Sequence, residues 1–579
     1  MGFSEATKSF IIELRYEDGG IAGVPMIDRD LLPYRLGRER KRSSRVLILA
    51  ILIAVLMLGA TAGLMIQIVN NRSETPVRIP ARIAYTSHNP ISITGNGGFT
   101  NASGVVWGSG TASDPYIIRG WEITAGVSDF AAVFISSSDA FFRLEDCHLN
   151  HSDGNAIELD YVSNGVIINN TCTESLNGIC LAESNSITIV NNTLTNNDYH
   201  GIFMSASNWN VILSNNCSYN SYYGIWLGVS DHNTISNNSC SFHTTKGFEM
   251  NSGIYLDSSS SNTLTNNSCL NNSWNGIGIG NSDGNIIADN ACLGNSLHGI
   301  RVTSSNSNFL GYNNCSNNLH GNMTNGEEAG ILLDGSSWNT LSDNICLDDD
   351  TSGIAIRGST HNILTNNTCS DNTLAGIYMD LLNEDAQWNT LANNTCRDNP
   401  YGIMLWQYSS NNTLVSNNCS ENSIYGISLA YSRDNILTKN TCSYNLGYGL
   451  YVTNGDSSIP NYISRNNTIW NNTLIHNNGA TDTYDANHIQ AYDDGTNNSW
   501  NSADGYGNWW SDWQSPDNVP PYGIVDLPYN ISGNAGAKDH YPLTTPQAPI
   551  PEFGAMPLIV IAFVVAVVLT MGARPRKPQ

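Results

Sequence analysis

The sequence predicts an all-β fold, a right-handed parallel β-helix (solenoid) of about fourteen coils flanked by N- and C-terminal transmembrane helices. Three observations carry the solenoid. A unit typified by Gly253 to Asn275, GIYLDSSSSNTLTNNSCLNNSWN, returns with small variations from about residue 130 to residue 475. Its opening glycine stands at Gly178, Gly201, Gly224, Gly253, Gly276, Gly299, Gly330, Gly353, Gly376, Gly402, Gly426 and Gly449, with gaps of 23, 23, 29, 23, 23, 31, 23, 23, 26, 24 and 23 residues. A modal period with only longer exceptions describes a coil of fixed circumference carrying occasional surface loops. Within the unit, G-I-x-L alternates with period 2, so Ile254 and Leu256 share a face that Tyr255 opposes, the signature of a short strand. The third observation is an asparagine two residues before the Cys slot in coil after coil: Asn170, Asn192, Asn215, Asn238, Asn267, Asn290, Asn313, Asn344, Asn367, Asn394, Asn417, Asn440 and Asn472. Stacked at about 4.8 Å, these amides can bond to the coils above and below and satisfy polar groups at a buried corner. Coils this short bury their apolar side only against neighbouring coils. Fourteen of them predict a rod on the order of 65 to 70 Å long.

Taken in order, residues 1–45 lack strong periodicity and end in Arg38-Glu-Arg40-Lys-Arg42-Ser-Ser-Arg45, a basic tail expected in the cytoplasm. Val46 to Ile66 are uncharged and almost wholly apolar, and Gln67-Ile-Val69 continues the run. An anchor at 46–69 is long enough to cross a bilayer, and the cationic flank sends the repeats outside. Its length and long leader favour a retained signal-anchor over a cleaved signal peptide. Residues 70–84 form a polar, Pro-containing linker, and 85–130 an N-terminal cap in which Ile117, Ile118 and Ile123 alternate between Gly and Pro turns.

The repeats span 131–475, two degenerate coils near Ala132 and Ala156 preceding Gly178. Cys217, Cys240, Cys269, Cys292, Cys315, Cys346, Cys369, Cys396, Cys419 and Cys442 occupy one slot of successive coils, and Leu194 and Leu474 fill it elsewhere. A slot that accepts Leu is interior, which predicts a ladder of free thiols rather than disulfides or metal ligands. Cys180 differs in lying at the outward x of G-I-x-L, where a surface thiol, reactive or inert, is expected.

Residues 476–543 form a Trp-rich C-terminal cap in which Trp500, Trp509, Trp510 and Trp513 are expected to cover the open end of the last coil. A Pro-rich linker, 544–555, leads to an apolar run, 556–573, and a basic tail, 574–579. That run reads either as a second transmembrane span or as a sorting segment.

Several motifs then carry a resemblance. GSGTASDPYIIRGWEI (108–123), the repeats, and the later GNWWSDW (507–513) make residues 88–543 similar to archaeal cell-surface proteins of the NosD-like right-handed β-helix family. Pro551-Glu552-Phe553 ahead of the last apolar run resembles a PEF-type sorting signal. The resemblance implies a cell-membrane protein with a large extracellular domain. The family's acidic run before G-I-V-D, which would imply calcium, is replaced here by Asp517-Asn-Val-Pro-Pro-Tyr-Gly523.

Charged residues make up 13% of the chain and the net charge is -25. Setting aside the two basic tails leaves 13 basic and 43 acidic groups in 46–573, a surface that repels nucleic acid and tolerates neutral ligands or cations. The outward x column brings Phe203, Trp226 and Tyr255 together on consecutive coils, with Tyr199 and Tyr222 nearby. Such a ladder suits carbohydrate rings, although aromatics also simply favour strands. Sequons at Asn101, Asn169, Asn191, Asn237, Asn266, Asn366, Asn393 and Asn471 mostly arise because the Asn column lies beside Ser or Thr, so their number alone is weak evidence for glycans; outward exposure on an extracellular rod is what makes the chain a candidate glycoprotein.

A lyase or epimerase acting on uronates needs a base and a cation for the substrate carboxylate. Arg301 and Arg357, two coils apart, and the Tyr484-Asp-Ala-Asn-His488 segment are the nearest candidates, without a complete motif. For copper, the closest His pair is His148-Leu-Asn-His151, and no Met-rich or His-x-His run accompanies it. The expectation is therefore a membrane-anchored protein of cell-surface structure, adhesion or carbohydrate binding, with no catalytic residue, metal or cofactor assigned. Its expected partners are the lipid bilayer and polysaccharide or other surface proteins. The alternative is an extracellular polysaccharide-modifying enzyme.

Overall fold

The computed structural model describes residues 85–546 except 128, 152, 244–250, 319–327, 381–384 and 455–462. They form a right-handed parallel β-solenoid. The two long sheets contain sixteen strands each, and connections between parallel strands turn right-handedly. The first sheet collects the G-I-x-L strands, from Ile91–Thr94, Ala131–Ser138 and Asn155–Val162 to Leu450–Thr453 and Ala491–Asp493. Neighbours pair in parallel register, Ile254 with Ile277 and Leu256 with Ile279. The fourteen expected coils account for all but the outermost strand at each end, and those two come from the segments expected to be caps.

The second sheet runs through strands such as Thr263–Thr265 and Ile286–Ala288. The third face, at the Cys slot, is short and broken into small sheets and single bridges. Ile254, Leu256, Leu264 and Cys269 are fully buried while Tyr255 is not, as the alternation requires. All thirteen cysteines are free and buried. Cys240 shares hydrogen bonds with Cys217 and Cys269, and burial pushes its thiol well up.

The asparagine column is a continuous chain of amides. Asn267 Nδ2 donates to Asn290 Oδ1 at 3.0 Å and to Ile235 O at 2.9 Å, while Asn267 Oδ1 accepts from the Asn238 side chain and backbone, each at 3.0 Å. Each amide thereby satisfies neighbouring coils in both directions. Two further amide ladders and a serine ladder, not legible as such in the repeat, stand at the other corners: Asn233 to Asn262, Asn272 to Asn295, and Ser259 accepting from Ser230 N. His243 and Asp349 replace asparagine in the second of these. The opening glycine is required by close approach: a Cβ at Gly276 would stand 2.6 Å from Gly299 O and 2.7 Å from Cys292 Cβ.

Residues 85–130 are a coil as well as a closure. Ile91–Thr94, Tyr116–Arg119 and Trp121–Ala125 join the three faces, and Phe99, stacked on Tyr116 at 4.7 Å, plugs the end. At the other end Trp509–Trp510 adds a strand beside Thr473–Ile475. Trp500 and Trp510 are buried, and Trp510 stacks on Tyr529 at 3.9 Å beneath the Tyr529–Asn530/Lys538–Asp539 hairpin. Trp510 Nε1 and the Asn508 backbone both donate to Asp539, whose carboxyl burial still raises to about 6.

Two expectations are corrected. Cys180 is buried between Glu158 and Phe203 in the outer column, and burial pushes its thiol up, so it is no surface thiol. Asn471 is buried where its backbone bonds to Gly507 O of the closing segment; the folded chain does not present it to a glycosylating enzyme. The expected membrane spans, 46–69 and 556–573, lie outside the described residues. Among those described, no helix is long and apolar enough to cross a membrane.

Candidate functional site

The outer side of the first sheet gathers most of the residues singled out above. Parallel in-register pairing places Phe203 beside Trp226 and Trp226 beside Tyr255. Phe203 and Trp226 stack at 4.7 Å with an 11° interplanar angle, and Tyr199 and Tyr222 stack at 4.9 Å and 6°. Tyr255 stacks instead on Tyr223, at 5.4 Å, and leans over Gly278 and Gly280 of the next coil, whose missing side chains leave room for its ring. Gly228 likewise leaves space for Trp226.

His200 and Tyr223 complete this cluster and were missed. Period-2 counting sends the residue before each opening glycine inward, but the bend there carries it to the outer side. His200 lies 5.6 Å from Phe203 and 5.3 Å from Tyr223. Burial lowers its pKa to about 3, which keeps the imidazole neutral, and its Nδ1 has no hydrogen-bond partner. Burial also raises the Tyr223 hydroxyl. The rings stack on one another from coil to coil, so the cluster offers an apolar surface of ring edges over neutral polar groups.

A second aromatic group stands on the same face toward the C-terminal end: Tyr425 and Tyr451 stack at 4.1 Å, and Tyr451 and Tyr492 at 5.0 Å. Tyr448 and Tyr401 flank them. Tyr451 stands at the outward x after Gly449, whereas Tyr401, Tyr425 and Tyr448 come from the same pre-glycine position as His200.

Between the two groups lies a charged stretch. Arg301 reaches Asp334 at 3.3 Å, and the register sets Arg357 between Asp334 and Asp380. Tyr378 donates to Asp380 at 2.9 Å, and its pKa is raised by burial and then by that carboxylate. Arg301 is thus already engaged by an acid, and Tyr378 holds its proton. Tyr484 and His488 sit far away in the closing segment, Tyr484 against Trp513 and Tyr529 and His488 bonded to Asn478 O. The structure does not bring them to the arginines.

His148 and His151 lie three apart in one strand, so they face opposite sides. His151 is buried with Nε2 against Asp129 O and Nδ1 accepting from Asp153 N, while His148 faces Glu122. This pair cannot hold one copper ion, and among the described residues no group of three or more His, Cys, Asp or Glu is arranged to hold a metal. The sequon asparagines Asn101, Asn169, Asn191, Asn237, Asn266, Asn366 and Asn393 are exposed. From Asn169 onward, each occupies a left-handed corner one residue before the amide ladder.

The family model described as "Right handed beta helix region" matches residues 215–347 and 329–499, and that described as "Periplasmic copper-binding protein (NosD)" matches residues 68–247. No significant match is found among curated proteins. Among solved structures, the chain is similar to the periplasmic alginate epimerase AlgG, at 13% identity over 67% of this chain and 85% of that one, with a TM-score of 0.33. It is also similar to the Dettilon tailspike protein, at 18% identity over 53% and 61%, TM-score 0.36. A third is the Azotobacter vinelandii mannuronan C-5 epimerase AlgE4 A-module, at 11% identity over 60% and 86%, TM-score 0.33.

Proposed function

We propose that this NosD-like right-handed β-helix protein is held at the outer surface of a cell membrane and binds carbohydrate along the outer side of its first sheet. The observation that carries the reading is the stacked group Phe203, Trp226, Tyr199, Tyr222 and Tyr255 on consecutive coils of one face. Partly exposed rings in a fixed array present an apolar surface to pyranose C–H groups with little ordering cost on binding. The outward sequons and the apolar segments at 46–69 and 556–573 support an extracytoplasmic, tethered placement, the second segment acting as a span or a sorting signal.

Epimerase or lyase chemistry has less support, because Arg301 is paired with Asp334, and Tyr378, beside Arg357 and three coils from Arg301, is held protonated. Copper delivery has less still, since the close histidines face apart.

The full chain in detergent, applied to immobilised polysaccharides, tests the reading. Trp226→Ala and Tyr255→Ala should each lower retention about tenfold, equivalent to about 1.4 kcal/mol. Unchanged retention in both variants would defeat it. Release of unsaturated uronate, followed by its absorbance, would move the assignment to a lyase.

A further inference from the structure

A different corner carries a second arrangement of aromatics. Each coil places one residue in the left-handed region just before the asparagine that opens its second-sheet strand. In chain order the column reads Trp209, His232, Ser261, Gly284, Ser307, Trp338, His361, Trp388, Asn411 and Asp434, with φ between 57° and 65°. Glycine, Asn and Asp tolerate this conformation, whereas a bulky ring there is an outlier with a backbone cost. Trp209, Trp338 and Trp388 are nevertheless 62%, 61% and 56% exposed. Burial in the core does not offset that cost.

The rings pile along the column. Trp209 and His232 stack at 4.2 Å and 11°, Trp338 and His361 at 4.1 Å and 14°. Between the two stacks the column holds only Ser261, Gly284 and Ser307, so His232 and Trp338 are separated by four strand steps, on the order of 19 Å. One face of each is turned toward the gap. Beside its floor, Asp231 Oδ1 accepts from Ser260 N and Asp283 Oδ1 from Asn306 N, both at 2.6 Å. The second oxygen of each carboxylate has no hydrogen-bond donor among the described residues.

We infer that this notch binds an uncharged oligosaccharide. The indole of Trp338 and the imidazole of His232 take the C–H faces of its outer sugars, and Asp231 and Asp283 accept from its hydroxyls. The same carboxylates repel uronates, as does the net charge of -25. This site lies on a different corner from the sheet-face aromatics and stands or falls independently of them.

An array of neutral and uronic-acid oligosaccharides, probed with the full chain in detergent, tests it. Neutral members should be retained and uronates not. Trp338→Asn should lower that retention at least tenfold without lowering the melting temperature, because Asn suits the left-handed corner better than Trp. Asp231→Asn with Asp283→Asn should admit uronates. No neutral oligosaccharide retained, retention unchanged by Trp338→Asn, or a melting temperature several degrees lower in that variant would each overturn the inference. A protein captured at this corner in place of any glycan would overturn it too.

Discussion

The inside and the outside of the same coil obey different rules. Along the interior, Asn267 and its counterparts hold one residue type from Asn170 to Asn472, and the Ile254 and Leu256 positions change within the repeats only among aliphatic residues and methionine, at Met204 and Met379. Along the exterior the matching column passes from Glu158 and Cys180 through Phe203, Trp226 and Tyr255 to Gly278, Arg301 and Leu332. An interior side chain must satisfy the coil on either side of it, so a departure breaks two sets of contacts. An exterior one has no core to complete, so its type varies, and where its neighbours leave it partly open, as at Phe203, Trp226 and Tyr255, it can serve a ligand.

The sharpest way to break this contrast is Asn290→Leu. It leaves the Asn267 backbone N–H and Nδ2 without their acceptor and Leu264 O without its donor. With each buried orphan costing about 1–3 kcal/mol, the variant should lose about 4 kcal/mol or more in urea denaturation. Hydrogen exchange should be fastest in the coils on either side.

Next come the two titratable replacements inside one ladder. Asp349 accepts Asn318 N–H and Nδ2 at Oδ1, but its Oδ2 is buried without a partner, and burial holds its pKa well above the usual carboxylate range. The folded chain therefore keeps a proton that the unfolded chain releases at about pH 4. Stability falls as pH rises above that value, until the folded pKa is passed. Asp349→Asn should remove this slope, gaining about 1–3 kcal/mol at neutral pH and nothing below pH about 4. His243 has the opposite sign: burial lowers it to about 4, so stability should fall as pH drops from about 6.5 toward that value. His243→Asn should remove that loss. Urea titrations from pH 4 to 8 check both.

On the exterior, Trp226→Ala should cost only about 0.5–1.5 kcal/mol through its lost stack on Phe203, despite its large effect on glycan retention. The smallest effect belongs to the thiols. All thirteen, Cys180 included, are buried, so an aromatic disulfide reagent should find none in the folded chain and thirteen after guanidinium. Rapid reaction of one native thiol would place Cys180 back at the surface.

Much of the interior was legible because each rung repeats the same demand. The spacing of glycines, the aliphatic alternation and the Asn and Cys columns each correspond to a contact between neighbouring coils. The outer site was only partly legible. Phe203 and Trp226 follow from alternation, whereas His200 and Tyr223 reach the outer side through a bend that alternation does not encode. Cys180 and Asn471 show the converse: an outward position was covered by neighbours distant in sequence, Phe203 for the one and Gly507 for the other.

The solenoid, its coil number and its free thiols follow from residue order alone, because in-register stacking turns a one-dimensional period directly into neighbours in space. Which exterior residues are open, which aromatics share a face, and the gap between Trp338 and His232 emerge with the folded chain. Exposure depends on loops, corner bends and closing segments, and those are set by contacts that no repeat records.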